Sequence, residues 1–364
     1  MTAVRAAADI WWSQRAAAAG YASLSDFITA YGLEKYRLQQ IYRAATKQLA
    51  EDVAALSVLP APLRAQLGER LRFSSVSLKH EATSGDGQTT KLLLGLADGQ
   101  EIEAVLMRHQ RARTTACISS QAGCALRCDF CATGQGGFMR NLSALEIFDQ
   151  ALLLARRARA EGTALSNVVF MGMGEPFLNY DAVLSAVALL NDAAGFNLGA
   201  RRITISTAGV VPAIRRFTQE SSQVNLATSL HAADDVLRTK LMPINKRWPI
   251  AVLMDALHEY VRQTRRKVFY EYLMLAGVND RPQDARQLAD LLGGPLHHVN
   301  LIPYNPTAAP YGRSSPAAIR RFAAILRERN VPATLRHTMG DDIAAACGQL
   351  RVQRRAAVPA LSAR

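Results

Sequence analysis

Three of the five cysteines stand close together, as Cys124, Cys128 and Cys131 in the segment Cys-Ala-Leu-Arg-Cys-Asp-Phe-Cys. Thiolates from one short loop can bind three iron atoms of a cubic iron–sulfur cluster, and this spacing leaves the fourth iron without a protein ligand. Clusters that only transfer electrons usually have four cysteine ligands. We therefore expect the open iron to bind a substrate or cosubstrate, which indicates catalysis.

A zinc site is the alternative for the same three cysteines, with His231 or Cys347 as its fourth ligand. Two features favour the iron–sulfur cluster. The CxxxCxxC spacing differs from the CxxC pairs that zinc knuckles favour. The segment after Cys131, Ala-Thr-Gly-Gln-Gly-Gly-Phe, is rich in glycine, which allows the backbone to wrap around a bulky group.

A second motif, Met171-Gly-Met-Gly-Glu175-Pro176, follows an apolar segment that we predict to be a strand. Its glycines allow the backbone to approach a ligand closely, and Glu175 could accept hydrogen bonds from an ammonium group or a ribose. Taken alone, the motif is equally an ordinary turn with an acidic residue that caps a helix.

The elements that must position these residues alternate between strands and helices from about residue 114 onward. We predict strands near residues 114–118, 167–171, 202–206, 224–230, 268–275, 298–303 and 331–336. We predict helices over residues 143–158, which open with the capping box Ser143-Ala-Leu-Glu146, and over 181–193, 249–264, 281–292 and 314–329. Such alternation predicts an α/β fold with a parallel sheet covered by helices. Six or seven units are too few for an eight-stranded barrel, so we expect a partial barrel with its chemistry at the C-terminal strand ends.

The residues before the barrel have other patterns. Apolar residues recur at helical spacing in the first 75 residues, and Leu92, Leu94 and Leu96 then alternate with other residues before the turn Asp98-Gly99 and a return strand over residues 101–107. We therefore predict a helical accessory domain over 1–75, a β-hairpin linker over 76–110, a core barrel over 111–342 and a C-terminal segment over 343–364.

Composition limits the partners and the compartment. Lysine and arginine outnumber aspartate and glutamate by 43 to 30, and the net charge of +13 fits either a polyanionic partner or a charge that serves solubility. No apolar run is long enough to span a bilayer, and the N-terminus lacks the uninterrupted apolar stretch of a signal peptide. An odd number of cysteines, three of them clustered, fits a reducing compartment. We expect a cytoplasmic monomer that does not bind membranes.

CxxxCxxC followed by a strand and a Gly-Glu-Pro turn resembles the radical S-adenosylmethionine (SAM) superfamily. Longer strings narrow the resemblance: Cys117-Ile-Ser-Ser-Gln-Ala-Gly-Cys124, Met171-Gly-Met-Gly-Glu-Pro, Ser229-Leu-His231-Ala, Leu241-Met-Pro-Ile-Asn-Lys, Gly277-Val-Asn-Asp, Val299-Asn-Leu-Ile-Pro-Tyr-Asn305-Pro and Gly340-Asp-Asp-Ile-Ala-Ala-Ala-Cys347-Gly-Gln-Leu. Over roughly residues 22–352 the chain resembles the RlmN/Cfr family of radical SAM RNA adenine methyltransferases.

The resemblance implies a fold and two cofactors. The fold is a partial (β/α)6 radical SAM barrel. The cofactors are a [4Fe-4S] cluster on Cys124, Cys128 and Cys131 and SAM on its open iron. The positions that match the family's SAM pocket are Gly174, Glu175, Ser206, Ser229, Leu230, His231 and Asn305.

The resemblance also implies a reaction that uses two molecules of SAM. One methylates Cys347, and the other is cleaved to a 5′-deoxyadenosyl radical that removes hydrogen from the new S-methyl group, so that its carbon can add to adenine. Cys117 is implied to resolve the adduct through a transient disulfide with Cys347, and Glu103 to accept a proton. Without the resemblance, Cys117 is interpreted as a small buried residue, Cys347 as an ordinary helix residue and Glu103 as a residue on the solvent face of a hairpin.

The implied substrate is carbon 2 of an adenosine in the peptidyl-transferase centre of 23S rRNA, with a tRNA adenosine beside the anticodon as a second target. A base in folded RNA must leave its stack to reach a barrel. The alternative is Cfr-type methylation of carbon 8 of the same rRNA adenosine, which confers antibiotic resistance, or another RNA target. The chain has segments that resemble each type: 175–179 and 310–315 resemble RlmN, 217–226, 240–245 and 298–307 resemble Cfr, and the loop 108–113 resembles neither.

Two other classes of function remain as alternatives, a radical enzyme that acts on a small molecule and a zinc-dependent RNA-binding protein. For the radical RNA methylase, a flavodoxin or a ferredoxin is the expected electron donor.

Overall fold

The structure is a computed structural model, and it describes residues 7–109, 113–220, 222–294 and 296–350. Residues 1–6 of the predicted accessory domain, 110–112 of the loop at 108–113 and 351–364 of the predicted C-terminal segment lie outside the described residues.

From residue 7 onward, the described part of the N-terminal region has four helices, α1 (Ala7–Ala18), α2 (Leu24–Tyr31), α3 (Lys35–Thr46) and α4 (Ala61–Arg70). Trp11, Trp12 and Phe27 are buried between them. The region is joined to the barrel by a buried ion pair, because Arg15 donates to both carboxylate oxygens of Asp149 at 2.6 and 2.8 Å. Asp149 also accepts from the backbone of Ser75, so this buried carboxylate is fully hydrogen-bonded.

Ten strands form one sheet in the described part of the chain, in the order β1-β2-β3-β4-β7-β8-β9-β10-β11-β12. They are β1 (Ser77–Thr83), β2 (Thr89–Gly95), β3 (Glu101–His109), β4 (Arg113–Cys117), β7 (Leu165–Phe170), β8 (Ile203–Thr207), β9 (Asn225–Ser229), β10 (Val268–Met274), β11 (His297–Pro303) and β12 (Ala333–Leu335). β1 to β4 pair antiparallel. From β4 to β12 each strand pairs parallel with its neighbour. The predicted α/β fold with a partial parallel barrel is therefore confirmed.

The predicted hairpin is present as β2 and β3, but it is part of a larger unit. β1 pairs with β2, and β3 pairs with β4 from Val105 opposite Cys117 to His109 opposite Arg113. The antiparallel strands therefore extend the barrel sheet directly. Alternation along a sequence identifies strands, whereas their pairing partners depend on tertiary contacts.

The barrel helices are α6 (Ala144–Ala160), α7 (Tyr180–Asn191), α8 (Val211–Gln219), α9 (Asp235–Leu241), α10 (Ile250–Thr264), α11 (Pro282–Leu291) and α12 (Pro316–Glu328). The capping box of Ser143 and Glu146 is present at the start of α6. We did not predict α8 and α9, which have only nine and seven residues and therefore little periodicity. Shorter elements are α5 (Ala132–Gln135) and the 3₁₀ turns at Pro176–Leu178, Ala200–Arg202 and Pro243–Lys246.

A separate two-stranded sheet of β5 (Gln121–Gly123) and β6 (Phe138–Asn141) flanks the cysteine loop. None of the helices in the described ranges combines the length and apolar character of a bilayer-crossing segment.

Candidate active site

The cysteine loop begins and ends at a tight contact between β5 and β6. Cys124 donates its backbone N–H to the carbonyl of Gly137 at 2.8 Å. Gly123 has φ +78°, and a Cβ atom there would lie 2.0 Å from the Gly137 carbonyl oxygen, so only glycine fits. At its other side the loop is held by α9, because the Asp129 N–H donates to the Leu241 carbonyl at 3.0 Å.

The three loop cysteines line one cavity, here called the first cavity, of about 990 Å³ including its open mouth. Five of the seven residues predicted to hold SAM line the same cavity, from the loops and strand ends of β7, β8 and β9: Gly174, Glu175, Ser206, Ser229 and His231. The structure thus brings the two sequence motifs together at the C-terminal ends of parallel strands, where ligands of such sheets bind.

The other two predicted pocket residues lie elsewhere. Leu230 is fully buried and lines neither the first cavity nor a second one beside it. Its backbone N–H donates to the carbonyl of Glu271 at 3.0 Å. Asn305 lines a second cavity, and its side-chain amide donates to the Cys347 carbonyl at 3.2 Å.

Glu175 is buried and its carboxylate is held by two backbone groups. It accepts from Phe177 N–H at 3.0 Å and from Ala208 N–H at 2.7 Å. Burial raises the pKa of Glu175, and these hydrogen bonds oppose the rise. The carboxylate therefore connects the turn after β7 to the loop after β8.

Gln121 positions this turn from β5, a role that the sequence did not predict. Its side-chain oxygen accepts from Glu175 N–H at 2.8 Å, and its amide donates to Asn141 at 2.8 Å. Gly174 has φ +98°, and a Cβ atom there would lie 2.5 Å from the Cβ of Gln121. The sequence contained one signal of this role, because Gln121 lies within the string from Cys117 to Cys124 on which the family resemblance depends.

His231 is a neutral imidazole in a strained backbone conformation. Its φ is +60°, which is uncommon outside glycine and is often found at functional sites. Burial lowers the pKa of His231 to about 3, and the positive charge of Arg238 adds to the effect. The Leu273 N–H donates to Nδ1 at 3.0 Å, so the ring proton resides on Nε2. The ring also packs edge-on against Phe130 of the cysteine loop, with centroids 4.9 Å apart.

The thiols of the first cavity fit an iron–sulfur cluster. Burial raises the pKa of Cys124 to about 12 and that of Cys128 well above its usual value, so a bound metal must supply the positive charge that keeps them as thiolates. The zinc alternative needs these cysteines to converge with His231 or Cys347. Within the described ranges, no three His, Cys, Asp or Glu side chains are grouped as ligands of one metal ion.

The second cavity measures about 1440 Å³ including its mouth, and it adjoins the first. The two cavities share Met171, Glu271, Ile302, Arg336, Cys347 and Leu350 as lining residues. Cys117 lines only the second cavity, and Glu103 lines neither. Cys347 therefore lies on the wall between the cavity of the three cysteines and the cavity of Cys117.

The segment that carries Cys347 consists of turns, so the interpretation of this cysteine as a helix residue is wrong. It is held by contacts from three directions. Ala132 of the cysteine loop donates to the Gly348 carbonyl at 2.8 Å, Asn305 donates to Cys347, and Lys91 of β2 donates to the Ala344 carbonyl at 3.2 Å. The Cys347 side chain is exposed, and all five cysteines are free thiols in this structure.

Glu103 is only 4% exposed, so its interpretation as a residue on the solvent face of a hairpin is wrong. Successive residues of β3 are buried from Ile102 to Leu106, and because successive side chains of a strand point to opposite faces, both faces of β3 are covered there. The carboxylate pairs with Lys91 at 3.1 Å, and the Glu103 carbonyl accepts from Ser119 at 2.6 Å.

A charged pair that the sequence did not predict separates the two cavities. Glu271 of β10 accepts from Asn300 at 2.8 Å and pairs with Arg336 at 3.3 Å. Burial disfavours the charge of Arg336, but Glu271, Cys347 and Cys117 favour it and raise its pKa. The sequence contained one signal of this pair, because Glu271 is a charged residue in the middle of the apolar segment 268–275.

Comparison with known proteins agrees with this geometry. Residues 118–292 match the model of the radical SAM superfamily. The chain is 45% identical to the dual-specificity RNA methyltransferase RlmN 1 of Myxococcus xanthus, over 92% of this chain and 93% of that protein. It is 47% identical to a protein of Moorella thermoacetica named "Probable dual-specificity RNA methyltransferase RlmN", over 90% and 94% of the two chains.

Among solved structures, a radical SAM methyltransferase from Sphaerobacter thermophilus is 50% identical, with a TM-score of 0.87 over 91% of this chain and 97% of that one. Identity at this level over nearly the whole length, together with the cysteine loop and the cavity it lines, establishes both the family and the class of enzyme. The chain belongs to the RlmN family of radical SAM RNA methyltransferases.

Proposed function

We propose that this enzyme methylates carbon 2 of an adenosine in the peptidyl-transferase centre of 23S rRNA, and also a tRNA adenosine, through a methyl group carried on Cys347. The position of Cys347 supports the proposal most strongly. A carrier must collect a methyl group from SAM in one cavity and deliver it to a base in another, and Cys347 lies on the wall that both cavities share. An enzyme that acts on a small molecule needs no such carrier.

Membership in the family implies a [4Fe-4S] cluster and SAM, and the first cavity has the residues for both. Cys124, Cys128 and Cys131 would hold the cluster. Gly174, Glu175, Ser206, Ser229 and His231 line the space beside it and would orient SAM. When bound, the reduced cluster supplies the electron that cleaves SAM to a 5′-deoxyadenosyl radical. The buried walls of the cavity exclude water from this reactive species.

Cys347 takes part in two successive steps that use two molecules of SAM. Its sulfur first attacks the sulfonium methyl group of one molecule and becomes S-methylated. Removal of a hydrogen atom from this S-methyl group then leaves a carbon radical that bonds to carbon 2 of adenine. A radical is required because this ring carbon has no lone pair for a polar methyl transfer.

Cys117 and Glu103 complete the reaction in this proposal. Glu103 accepts the proton that carbon 2 of the adenine ring loses, and the adduct gives up its unpaired electron, which the oxidised cluster would take back. The Cys117 thiolate then attacks the Cys347 sulfur and forms a disulfide, which breaks the bond between that sulfur and the transferred carbon. This carbon takes up a proton and becomes the methyl group. The disulfide is transient and must be reduced by two electrons and two protons before the next turnover, whereas an electron donor such as a flavodoxin or a ferredoxin would reduce the cluster.

The second cavity is suited to a base that has left an RNA stack. Phe269 offers an aromatic face, Asn300 offers an amide, and Arg113 and Arg336 offer positive charge to the adjoining phosphates. The net charge of +13 adds a long-range attraction to RNA. RNA binding should therefore weaken steeply as the salt concentration rises.

Mass spectrometry of nucleosides from a deletion strain tests the proposal. We expect 2-methyladenosine to disappear from rRNA and tRNA, to return with the wild-type gene and to remain absent with Cys347→Ala. Loss of 8-methyladenosine instead would identify the Cfr-type reaction. Unchanged levels of both nucleosides would refute the assignment to these RNAs.

A further inference from the structure

Arg238 is a buried guanidinium that has no carboxylate partner within the described ranges. It is 1% exposed, and it donates to three neutral oxygens, the Asn245 side chain at 2.7 Å and the carbonyls of Ala208 and Ser229 at 2.8 and 3.1 Å. Its Nε is buried and has no hydrogen-bond partner among the residues that the structure describes. A buried charge without a counter-charge is strongly unfavourable, so a compensating group is expected close by.

The guanidinium lies directly behind the wall of the first cavity. Ala208 and Ser229, to which it donates, both line that cavity. Arg238 is also one turn before the end of α9, where the Leu241 carbonyl accepts from Asp129 of the cysteine loop and Met242 lines the cavity. The positive charge is thus placed beneath the loop that carries the three thiols.

The electrostatics of the described residues agree with this placement. Burial lowers the pKa of Arg238 to about 10, and the group that most opposes this effect is Cys128, ahead of Asp235. Burial and the neighbouring Cys131, Cys124 and Glu175 all raise the pKa of Cys128, and Arg238 acts against them. Arg238 therefore favours negative charge at the cysteine loop.

We propose that Arg238 is a positioning residue whose counter-charge is the cluster with its three thiolates, and that it makes the cluster easier to reduce. This inference rests on the proposed function. Three thiolates outweigh the positive charge of an oxidised cubic cluster, and reduction adds a further electron. A fixed positive charge behind the cavity stabilises the reduced form more than the oxidised form.

Two variants of the full chain, reconstituted anaerobically with iron and sulfide, separate charge from hydrogen bonding. Arg238→Gln removes the charge, and Arg238→Lys keeps it without the guanidinium fork. The midpoint potential is measured by a redox titration followed by electron paramagnetic resonance. We expect Arg238→Gln to lower the ratio of reduced to oxidised cluster at least tenfold at a fixed potential, a shift of 59 mV for one electron, and Arg238→Lys to lower it less than threefold.

Arg266→Gln is the matched control. Arg266 also donates to neutral side chains, those of Gln223 and Asn225, but at the opposite end of β9. We expect its midpoint potential to equal that of the wild type.

An unchanged midpoint potential in Arg238→Gln, at full iron content, would overturn the inference. A purely structural role for Arg238 predicts that the Lys variant is affected as much as the Gln variant. If Arg238→Gln does not fold, Arg238→Lys decides: a shift below threefold supports the inference, and a shift above tenfold overturns it. If the wild-type chain itself binds no cluster, the proposed function fails rather than this inference alone.

Discussion

Lys91 places its ammonium nitrogen 3.1 Å from a carboxylate oxygen of Glu103. The same nitrogen donates to the carbonyl of Ala344 at 3.2 Å, three residues before Cys347. One side chain therefore connects the proposed proton acceptor to the segment that carries the proposed methyl carrier. Neither Lys91 nor Glu103 lines the two cavities. The contact indicates that the position of the segment and the charge around the acceptor are coupled.

Replacement of Lys91 tests this coupling. Loss of a hydrogen bond between charged groups costs about 1.5–3 kcal/mol, so we expect Lys91→Met to slow product formation by about 10- to 100-fold. Methylation of Cys347 itself should continue, because the first cavity is unchanged. A gel that resolves the covalent protein–RNA adduct measures the effect in a single turnover. Lys91→Arg, which keeps the charge, is the control, and normal product release by Lys91→Met would contradict the role.

The Cys117 thiol should control the pH dependence of adduct breakdown. Burial, with a contribution from Cys347, raises the pKa of Cys117 to about 12, and Arg336 opposes the rise. Below this pKa the thiolate fraction increases about tenfold per pH unit, so the rate of breakdown should increase similarly between pH 7 and 9. Rapid-quench measurements on preformed adduct test this, with Cys117→Ala expected to retain the adduct at every pH. A rate independent of pH would exclude Cys117 as the attacking thiol.

His231 should lower the free energy of unfolding of the protein under mildly acidic conditions. Its pKa is about 3 when folded, against an ordinary value of 6.5, so the unfolded chain binds the proton more readily. The buried neutral imidazole therefore contributes its full stabilisation above pH 6.5, and this stabilisation is lost as the pH falls below 6.5. Between pH 7.5 and 5.5 we expect the wild type to lose about 1 kcal/mol more unfolding free energy than His231→Asn. Asparagine tolerates the left-handed backbone, and its oxygen can replace Nδ1 as an acceptor. Equal pH dependence in urea denaturation of the two apoproteins would contradict the buried neutral imidazole.

Gly174 should tolerate no side chain, because an added Cβ would lie 2.5 Å from the Cβ of Gln121. Gly162 is a matched control, since its φ is also positive, at +74°, but no atom of the described residues lies within 4 Å of a Cβ there. We expect Gly162→Ala to cost about 1–2 kcal/mol in unfolding free energy. Gly174→Ala should cost about 1–3 kcal/mol more and should weaken SAM binding. The turn after β7 would be shown to move freely if the two substitutions cost the same unfolding free energy and if calorimetry gave Gly174→Ala the same SAM affinity as the wild type.

Local patterns predicted the parts of the fold that local forces determine. The strands of the barrel were found from short apolar runs, and α6 from the capping box of Ser143 and Glu146. Most of the predicted residues that line the first cavity could also be placed together, because the carboxyl ends of parallel strands meet at one edge of the sheet. Long-range packing could not be predicted. The alternation of a hairpin indicates a solvent face for Glu103, whereas both faces of β3 are buried from Ile102 to Leu106.

The residues that the sequence missed act through tertiary contacts alone. Lys91 is one lysine in an ordinary strand until Ala344 is brought beside it. Arg238 is on a helix too short to be recognised, and its significance depends on the cysteine loop that packs over that helix. Asn305, which the resemblance assigns to the SAM pocket, lies beside Cys347 in the second cavity, and its role in SAM binding stays a prediction.

The central claim is that Cys347 carries the methyl group between the two cavities, and isotope transfer tests it most directly. The enzyme is supplied with SAM that has a trideuterated methyl group, and both the peptide containing Cys347 and the RNA product are analysed by mass spectrometry. The account predicts a trideuterated S-methyl group on Cys347 before RNA is added, and a product methyl group with two deuterium atoms, because one is removed by the radical. A product with all three deuterium atoms, or an unmodified Cys347 in an active enzyme, would contradict it.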